Sequence, residues 1–243
     1  MKAMLEVDEG HWWYRGRRLI VRAELDRVAP ANGARVLDAG CGSGRMLQEL
    51  TDYGQVYGIE LDPDAAAFAA SRGIGEVRVG RLEELPWESG TFDLITCLDV
   101  IEHTADDRRT LGELRRVCKP GGFLLVTVPA YQALWSLHDV ANHHYRRYSR
   151  RTLRVAAVEA GWKVRRMTSF NSILLAPAAV VRIAQRGKSP DSGYTPELSL
   201  GPAWLNTVLE QPLRAEARWL ARGRTLPAGL SLLAVLENAG PGA

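Results

Sequence analysis

Val36-Leu37-Asp38-Ala39-Gly40-Cys41-Gly42-Ser43-Gly44 runs from an apolar strand into three closely spaced glycines and then into a helix candidate. Glycines at a strand-to-helix turn let the backbone pass tightly and let a ligand approach its amides, and the helix N-terminus adds positive potential. About 20 residues on, a second strand candidate ends in Glu60, where nucleotide-binding α/β folds place a carboxylate on two ribose hydroxyls. The spacing also separates cofactors. A dinucleotide fingerprint reads GxGxxG, whereas this loop reads GxGxG with Asp38 two residues ahead of the first glycine. A carboxylate in that place repels a pyrophosphate and suits a ligand with a cationic head. The plainer alternative is a tight turn followed by a solvated strand end.

Around this loop, short apolar runs alternate with longer amphipathic stretches, the pattern of a parallel sheet covered by helices on both faces. Arg35–Ala39, Gln55–Glu60, Glu76–Val79, Phe92–Cys97 and Phe123–Val128 read as strands, with Trp162–Phe170 as a sixth and Leu230–Leu236 as a seventh. Helices are predicted at Arg45–Asp52, Pro63–Arg72 and Asp106–Val117, and in front of the sheet over Glu9–Val28. The stretch between the sixth and seventh strands is too long for a structureless loop, so it is expected to hold helices at Ser172–Gln185 and Trp204–Arg222. Lys188–Tyr194, rich in turn formers, is the expected mobile tip.

Composition bounds the class. A hydrophobic fraction of 46% and a charged fraction of 24% are those of soluble globular proteins and exclude a disordered or coiled-coil chain. The net charge of +3 is too small for a dedicated nucleic-acid binder. Cys41, Cys97 and Cys118 form no CxxC pair, so neither a disulfide framework nor a zinc ribbon is read, and a reducing cytoplasm is expected. The N-terminal residues do not read as a secretory signal, and the longest mainly apolar run, Ile173–Ile183, is too short to span a bilayer.

With these residues in place, the chain resembles the class I S-adenosylmethionine-dependent methyltransferases, whose first motif is an acidic residue followed by GxGxG. Gly58-Ile59-Glu60-Leu61-Asp62 is similar to the second-strand motif, and Gly90-Thr91-Phe92-Asp93 to the approach to the fourth strand. Lys119-Pro120-Gly121-Gly122 is similar to the turn before the fifth. Asp99-Val100-Ile101-Glu102-His103 resembles the small-molecule subgroup grouped with quinone and lipid methyltransferases. Trp204 to Glu237 resembles bacterial members found near sugar-transfer genes. The resemblance implies a Rossmann-like α/β fold: a seven-stranded, mostly parallel sheet, an antiparallel last strand and a helical insertion between strands six and seven. It implies one methyltransferase domain over 1–243, with an N-terminal helix or lid at 1–30, a cofactor core at 31–170, a substrate-side insertion at 171–229 and the last strand and tail at 230–243.

The implied cofactor is S-adenosyl-L-methionine. Carried over by position, Asp38, Gly40, Cys41 and Gly42 line its methionine part, Glu60 takes the ribose hydroxyls and Leu61 packs on the adenine. Arg81 and Leu82 stand at the adenine edge, where the family commonly has an aspartate in place of Arg81, and the Leu98 carbonyl meets the amino group. Arg17, on one helical face with Trp13, pairs the cofactor carboxylate if the N-terminal helix serves as a lid. The alternative is a helix packed on the sheet by its aromatics.

Methyl transfer from a sulfonium needs mainly positioning, with a base for an alcohol acceptor. The loop after the fifth strand leaves the edge where open α/β sheets bind ligands. It carries His138 as first candidate for the base, with Asp139 or His143 as orienter or second candidate, although a lone histidine is more often structural. His138, Asp139, His143 and His144 match no closed zinc pattern, so no metal is expected. Arg146, Arg147, Arg150, Arg151, Arg154, Lys163, Arg165 and Arg166 form the densest basic region. They are either a solvated face or a set of forks for an anionic acceptor. The expected partner is therefore a small-molecule, sugar or lipid-linked acceptor, with peripheral membrane contact through the insertion and no nucleic acid. A non-catalytic binding protein and a nucleic-acid methyltransferase are the alternatives, the latter disfavoured because no NPPY-like motif follows the fourth strand.

Overall fold

The computed structural model describes residues 10–30, 33–184 and 202–240. Its strands are β1 Arg35–Ala39, β2 Gln55–Glu60, β3 Glu76–Val79, β4 Phe92–Leu98, β5 Cys118–Pro129, β6 Lys163–Phe170 and β7 Ser231–Glu237. Its helices are α1 Trp12–Leu25, α2 Arg45–Leu50, α3 Pro63–Ser71, α4 Asp107–Val117, α5 Leu137–Ala141, α6 Arg150–Glu159, α7 Leu175–Ala184 and α8 Ala203–Ala221.

The strands form one sheet in the order β3-β2-β1-β4-β5-β7-β6. Every neighbour pair from β3 to β5 is parallel, while β7 runs antiparallel between β5 and β6. This is the expected Rossmann-like sheet, with its order reversing at β1 and β4. The carboxyl ends of β1, β2, β4, β5 and β6 and the amino end of β7 therefore lie along one edge.

Alternation along the strands feeds two cores. Leu37, Leu124, Val126 and Ala234 point to the face covered by α4 and α6, joined by Leu111, Leu114 and Leu153. Val36, Leu125, Leu233 and Val235 point to the other face, which is covered by α1, α2 and α8 through Ile20, Leu47 and Leu213. The first helix and the late insertion thus close one layer. At Gly16 a Cβ would lie 2.2 Å from Leu213 Cδ1, so α1 and α8 are in backbone-to-side-chain contact there. Trp12 N–H donates to Asn206 Oδ1 at 3.0 Å and Arg15 pairs with Glu210 at 2.9 Å across the same seam. The N-terminal helix thus forms a wall packed against the insertion.

β5 begins five residues before its expected start, at Cys118, because the Lys-Pro-Gly-Gly turn pairs with β4 and β7. Helices α5 and α6 were not anticipated. Each is opened by a capping box, Ser136 with Asp139 and Ser149 with Thr152. Lys188–Tyr194 and Gln185 lie outside the described residues. No helix among the described residues is long and apolar enough to cross a membrane.

Candidate active site

The glycine loop leaves β1 with Gly40, Gly42 and Gly44 at positive φ. The amides of Gly40 and Cys41 both donate to the Ile59 carbonyl, at 2.8 and 3.0 Å, which ties the loop to β2. Two of these glycines are required for different reasons. A Cβ on Gly40 would strike Val100 Cγ2 at 2.5 Å, whereas a Cβ on Gly42 would meet nothing within 4 Å, so the backbone at Gly42 faces open space. Into that space the end of β2 presents Glu60. Its carboxylate accepts from Gly42 N–H at 2.9 Å, Leu61 N–H at 2.8 Å and Asp62 N–H at 3.1 Å.

Leu61 is 60% exposed and Val79, in register with Glu60 on β3, is 55% exposed. Apolar side chains so open beside a carboxylate suit the base of a nucleoside. Asp38 is buried at the end of β1 and accepts from Thr96 Oγ1 at 2.7 Å. Burial, and then the charges of Asp38 and Glu60, push the Cys41 thiol far up, so Cys41 lines the loop as a neutral group. Leu82 is buried, and Leu98, also buried, ends β4. Arg81 points outward to Glu83 at 3.4 Å, so its side chain adds no acceptor for an adenine amino group.

A cavity of about 680 Å³ opens next to this loop. Val100, against Gly40, marks the join, and Asp99 beside it lines the cavity. Three non-glycine residues adopt positive φ just past strand ends at this edge, Asp99 after β4, Tyr131 after β5 and Asn171 after β6. Strain of this kind, ~1–3 kcal/mol per residue, persists where surrounding contacts hold a functional loop in place. The α1 wall supplies Trp12, Trp13, Tyr14 and Arg17, and α7 adds Pro177 and Ala178. Trp13 stacks on Phe170 at the end of β6, with ring centroids 5.8 Å apart and planes at 10°. Arg17 Nη1 bonds Asp99 Oδ2 at 2.5 Å, which ties Arg17 to the loop after β4.

His11, His103, His138 and His144 all line this cavity, four of the five histidines in the chain. His143 is the fifth, and it is exposed, at a φ of 55°, outside the lining. Asp139 has no solvent exposure and accepts from Ser136 N–H at 2.8 Å, His144 Nδ1 at 2.9 Å and Arg147 Nε at 2.6 Å. Burial opposes its ionisation, but the hydrogen bonds from His144 and Arg147 outweigh it and hold the carboxyl well below the usual range. A carboxylate so fully engaged is no base. It orients His144, where the sequence paired it with His138.

Glu102 and His103 come from the turn after β4, and His144 from the loop after β5. The two loops are joined by Tyr145 N–H on the Glu102 carbonyl at 2.7 Å, and the His103 and His144 rings meet edge to face at 4.6 Å. Burial, and then the Asp99 charge, raise the Glu102 carboxyl well above its ordinary range. Burial, and then His144, lower His103, which keeps that imidazole neutral near pH 7. In the sequence, Glu102 and His103 stand out only as part of the motif after the fourth strand. Their place at the carboxyl end of a strand next to the switch point was the available signal.

The basic region is mostly engaged within the fold. Arg146 pairs with Asp107, Arg147 with Asp139, Arg165 with Glu237 and Arg166 with buried Glu24, while Arg150 bonds the Met167 carbonyl. Arg147 is the member of that group in the cavity lining, and its charge is matched by Asp139.

Residues 37–126 match the family profile described as Methyltransferase domain. A ubiquinone biosynthesis O-methyltransferase of Xanthomonas oryzae is 36% identical over 114 residues, 44% of this chain and 46% of that protein. A probable S-adenosylmethionine-dependent methyltransferase of Mycolicibacterium smegmatis is 32% identical over 123 residues, 50% of this chain and 47% of that protein. The chain thus spans about half the length of the curated relatives it matches. Among solved structures, a Haloferax volcanii complex of the Trm112 activator and a methyltransferase superposes over 97% of this chain and 92% of that one, with TM-score 0.64 and 20% identity. Phosphoethanolamine N-methyltransferase 2 of Haemonchus contortus, solved with S-adenosyl-L-methionine, aligns over 90% of this chain and 52% of that one, with TM-score 0.61 and 19% identity. At such identities the likeness is one of fold.

Proposed function

We propose that the chain, whose residues 37–126 match the Methyltransferase domain profile, is a class I S-adenosylmethionine-dependent methyltransferase that methylates a hydroxyl oxygen on an acceptor with an apolar body. The residues present fit the cofactor. Open backbone at Gly42, the Glu60 carboxylate on three amides and the uncovered faces of Leu61 and Val79 lie together at one end of β1, β2 and β3. Bound adenosylmethionine supplies a methyl group already activated by a positive sulfur, so the protein is left with positioning and proton removal.

The observation that carries the acceptor class is the mixed lining of the adjoining cavity. Trp12, Trp13, Leu174 and Pro177 offer an apolar bed, and His103, His138 and His144 offer nitrogens that suit a hydroxyl. His138 is assigned the acceptor proton, since His144 is tied to Asp139 through Nδ1. The engaged arginines give little support to an anionic acceptor, and the +3 net charge gives none to nucleic acid. The O-methyltransferase name of the Xanthomonas relative points to the same atom type.

The test is transfer of labelled methyl from adenosylmethionine to a panel of hydroxylated aromatics with and without alkyl tails. Turnover that rises with the tail supports the assignment. Cofactor binding without turnover on any member would make the protein a binding protein, and a preference for amines would move the reaction to nitrogen.

A further inference from the structure

We propose that Glu102, His103 and His144 form a binding site for one divalent cation of the zinc type, open to the cavity and able to hold the acceptor oxygen. One ligand atom from each of the three residues lies within 4.8 Å of the others. A tetrahedral ion with bonds of ~2.0–2.2 Å spaces its donors roughly 3.3–3.6 Å apart, so side-chain rotation of about 1 Å closes the set. Two imidazoles and one carboxylate are a donor set that zinc uses when a position is kept for water or substrate. All three residues also line the cavity, so the remaining position faces the space assigned to the acceptor.

A second observation points to a missing ligand. Glu102 is 1% exposed, and its Oε2 has no hydrogen-bond partner among the described residues. A buried carboxylate oxygen without a donor is costly, more so if charged, and is expected to be compensated by something the fold binds. His144 is prepared in the way metal ligands usually are. His144 Nδ1 is held by the buried Asp139 carboxylate at 2.9 Å, which leaves Nε2 to ligate. Asp139 is itself fixed by Arg147 and Ser136, so the His144 ring has a rigid support. The Tyr145–Glu102 backbone bond locks together the two loops that supply the three ligands.

Cation binding does not depend on the methyl-transfer reading. The role given to the cation, holding the acceptor hydroxyl as His138 takes its proton, does rest on it. The test uses the full chain without an affinity tag, stripped with a chelator, dialysed and titrated with Co²⁺ under visible absorption. One equivalent should bind with the strong d–d bands of a four- or five-coordinate site and be displaced by Zn²⁺. Asp139→Asn should weaken Co²⁺ by ~10–100-fold, and His103→Ala and His144→Ala should abolish the bands. His103 is open to the cavity, so its variant should fold even if a Glu102→Gln chain does not. Calorimetry with adenosylmethionine on the same samples keeps the two readings apart. Cofactor binding with no saturable Co²⁺ uptake, or with bands that persist in both histidine variants, overturns the cation site and leaves methyl transfer standing. Co²⁺ uptake lost in the variants, with no turnover on any acceptor, supports the site and overturns the methyl-transfer reading.

Discussion

The Gly42 amide donates to Glu60 Oε2 at 2.9 Å, bridging the turn after β1 and the end of β2. Glu60 thereby sits where the cofactor ribose is expected, with its other oxygen on the amides of Leu61 and Asp62. A carboxylate held by three amides is pre-organised to accept from two ribose hydroxyls. Glu60→Ala should therefore lower adenosylmethionine affinity by ~100-fold, the worth of two hydrogen bonds to a charged group. Calorimetry reads this directly, and unchanged affinity would remove the cofactor site from this loop.

Gly40 and Gly42 should separate folding from binding. Gly40→Ala combines a φ of 79° with a Cβ 2.5 Å from Val100, so it should cost ~2–4 kcal/mol and depress the melting temperature clearly. Gly42→Ala meets only the φ penalty, about 1 kcal/mol, but puts a methyl into the open space by Glu60. Its melting temperature should fall little while cofactor affinity falls strongly. Equal losses of both properties in the two variants would contradict this division.

His138→Ala should reduce turnover by ~10²–10⁴-fold with adenosylmethionine affinity preserved, the range for losing a general base. The two quantities are measured separately by initial rates at saturating cofactor and by calorimetry. Near-normal turnover would return His138 to a structural role.

What the sequence discloses about these sites follows from how local each signal is. The β1 loop is local: a strand, three glycines and a helix within sixteen residues, each constrained by its neighbours, so the tight strand-to-helix turn is legible before any contact is known. β7 was readable as a strand from its apolar run, and its antiparallel place between β5 and β6 followed from family resemblance alone. The meeting of His103 with His144 had no such signal. They are 41 residues apart and approach because the loops after β4 and β5 leave adjacent strands. Asp139 was misread in role for a local reason. Ser136-Leu137-His138-Asp139 is a capping-box pattern, and the structure uses Asp139 at the start of α5 as well as on His144 and Arg147. The contact of α1 with α8 lay equally out of reach, since it depends on a missing side chain at Gly16 facing a leucine almost 200 residues on.

Acid stability should depend on Glu113. Its carboxylate takes Arg116 at both Nε and Nη2, at 2.8 Å each, and the Leu85 amide at 3.0 Å, fastening the segment before β4 to α4. The Arg116 hydrogen bond chiefly, against some burial, holds the Glu113 carboxyl below its ordinary value. A depressed carboxyl contributes stability that is fully present above its unfolded value of about 4.3 and is lost as pH falls through the folded one. Glu113→Gln should thus be less stable than the parent by ~1 kcal/mol at pH 7, with the gap closing below about pH 4. Urea unfolding at the two pH values checks it, and a gap that widens in acid would reverse the sign.

Gly16→Ala probes whether the α1 wall is fixed. The added Cβ would lie 2.2 Å from Leu213 Cδ1 and 2.7 Å from Leu213 Cβ, so α1 must move off α8 or Leu213 must leave its rotamer. Overpacking of this kind costs ~1–3 kcal/mol, which in a chain of this size lowers the melting temperature by about 2–12 °C. α1 also carries Trp13 on Phe170 and Arg17 on Asp99, so displacement disturbs the acceptor cavity while the glycine loop keeps its own bonds to Ile59. The acceptor KM should therefore rise more than the cofactor KM. A variant that loses both equally would mean that α1 supports the cofactor loop as directly as it walls the acceptor cavity.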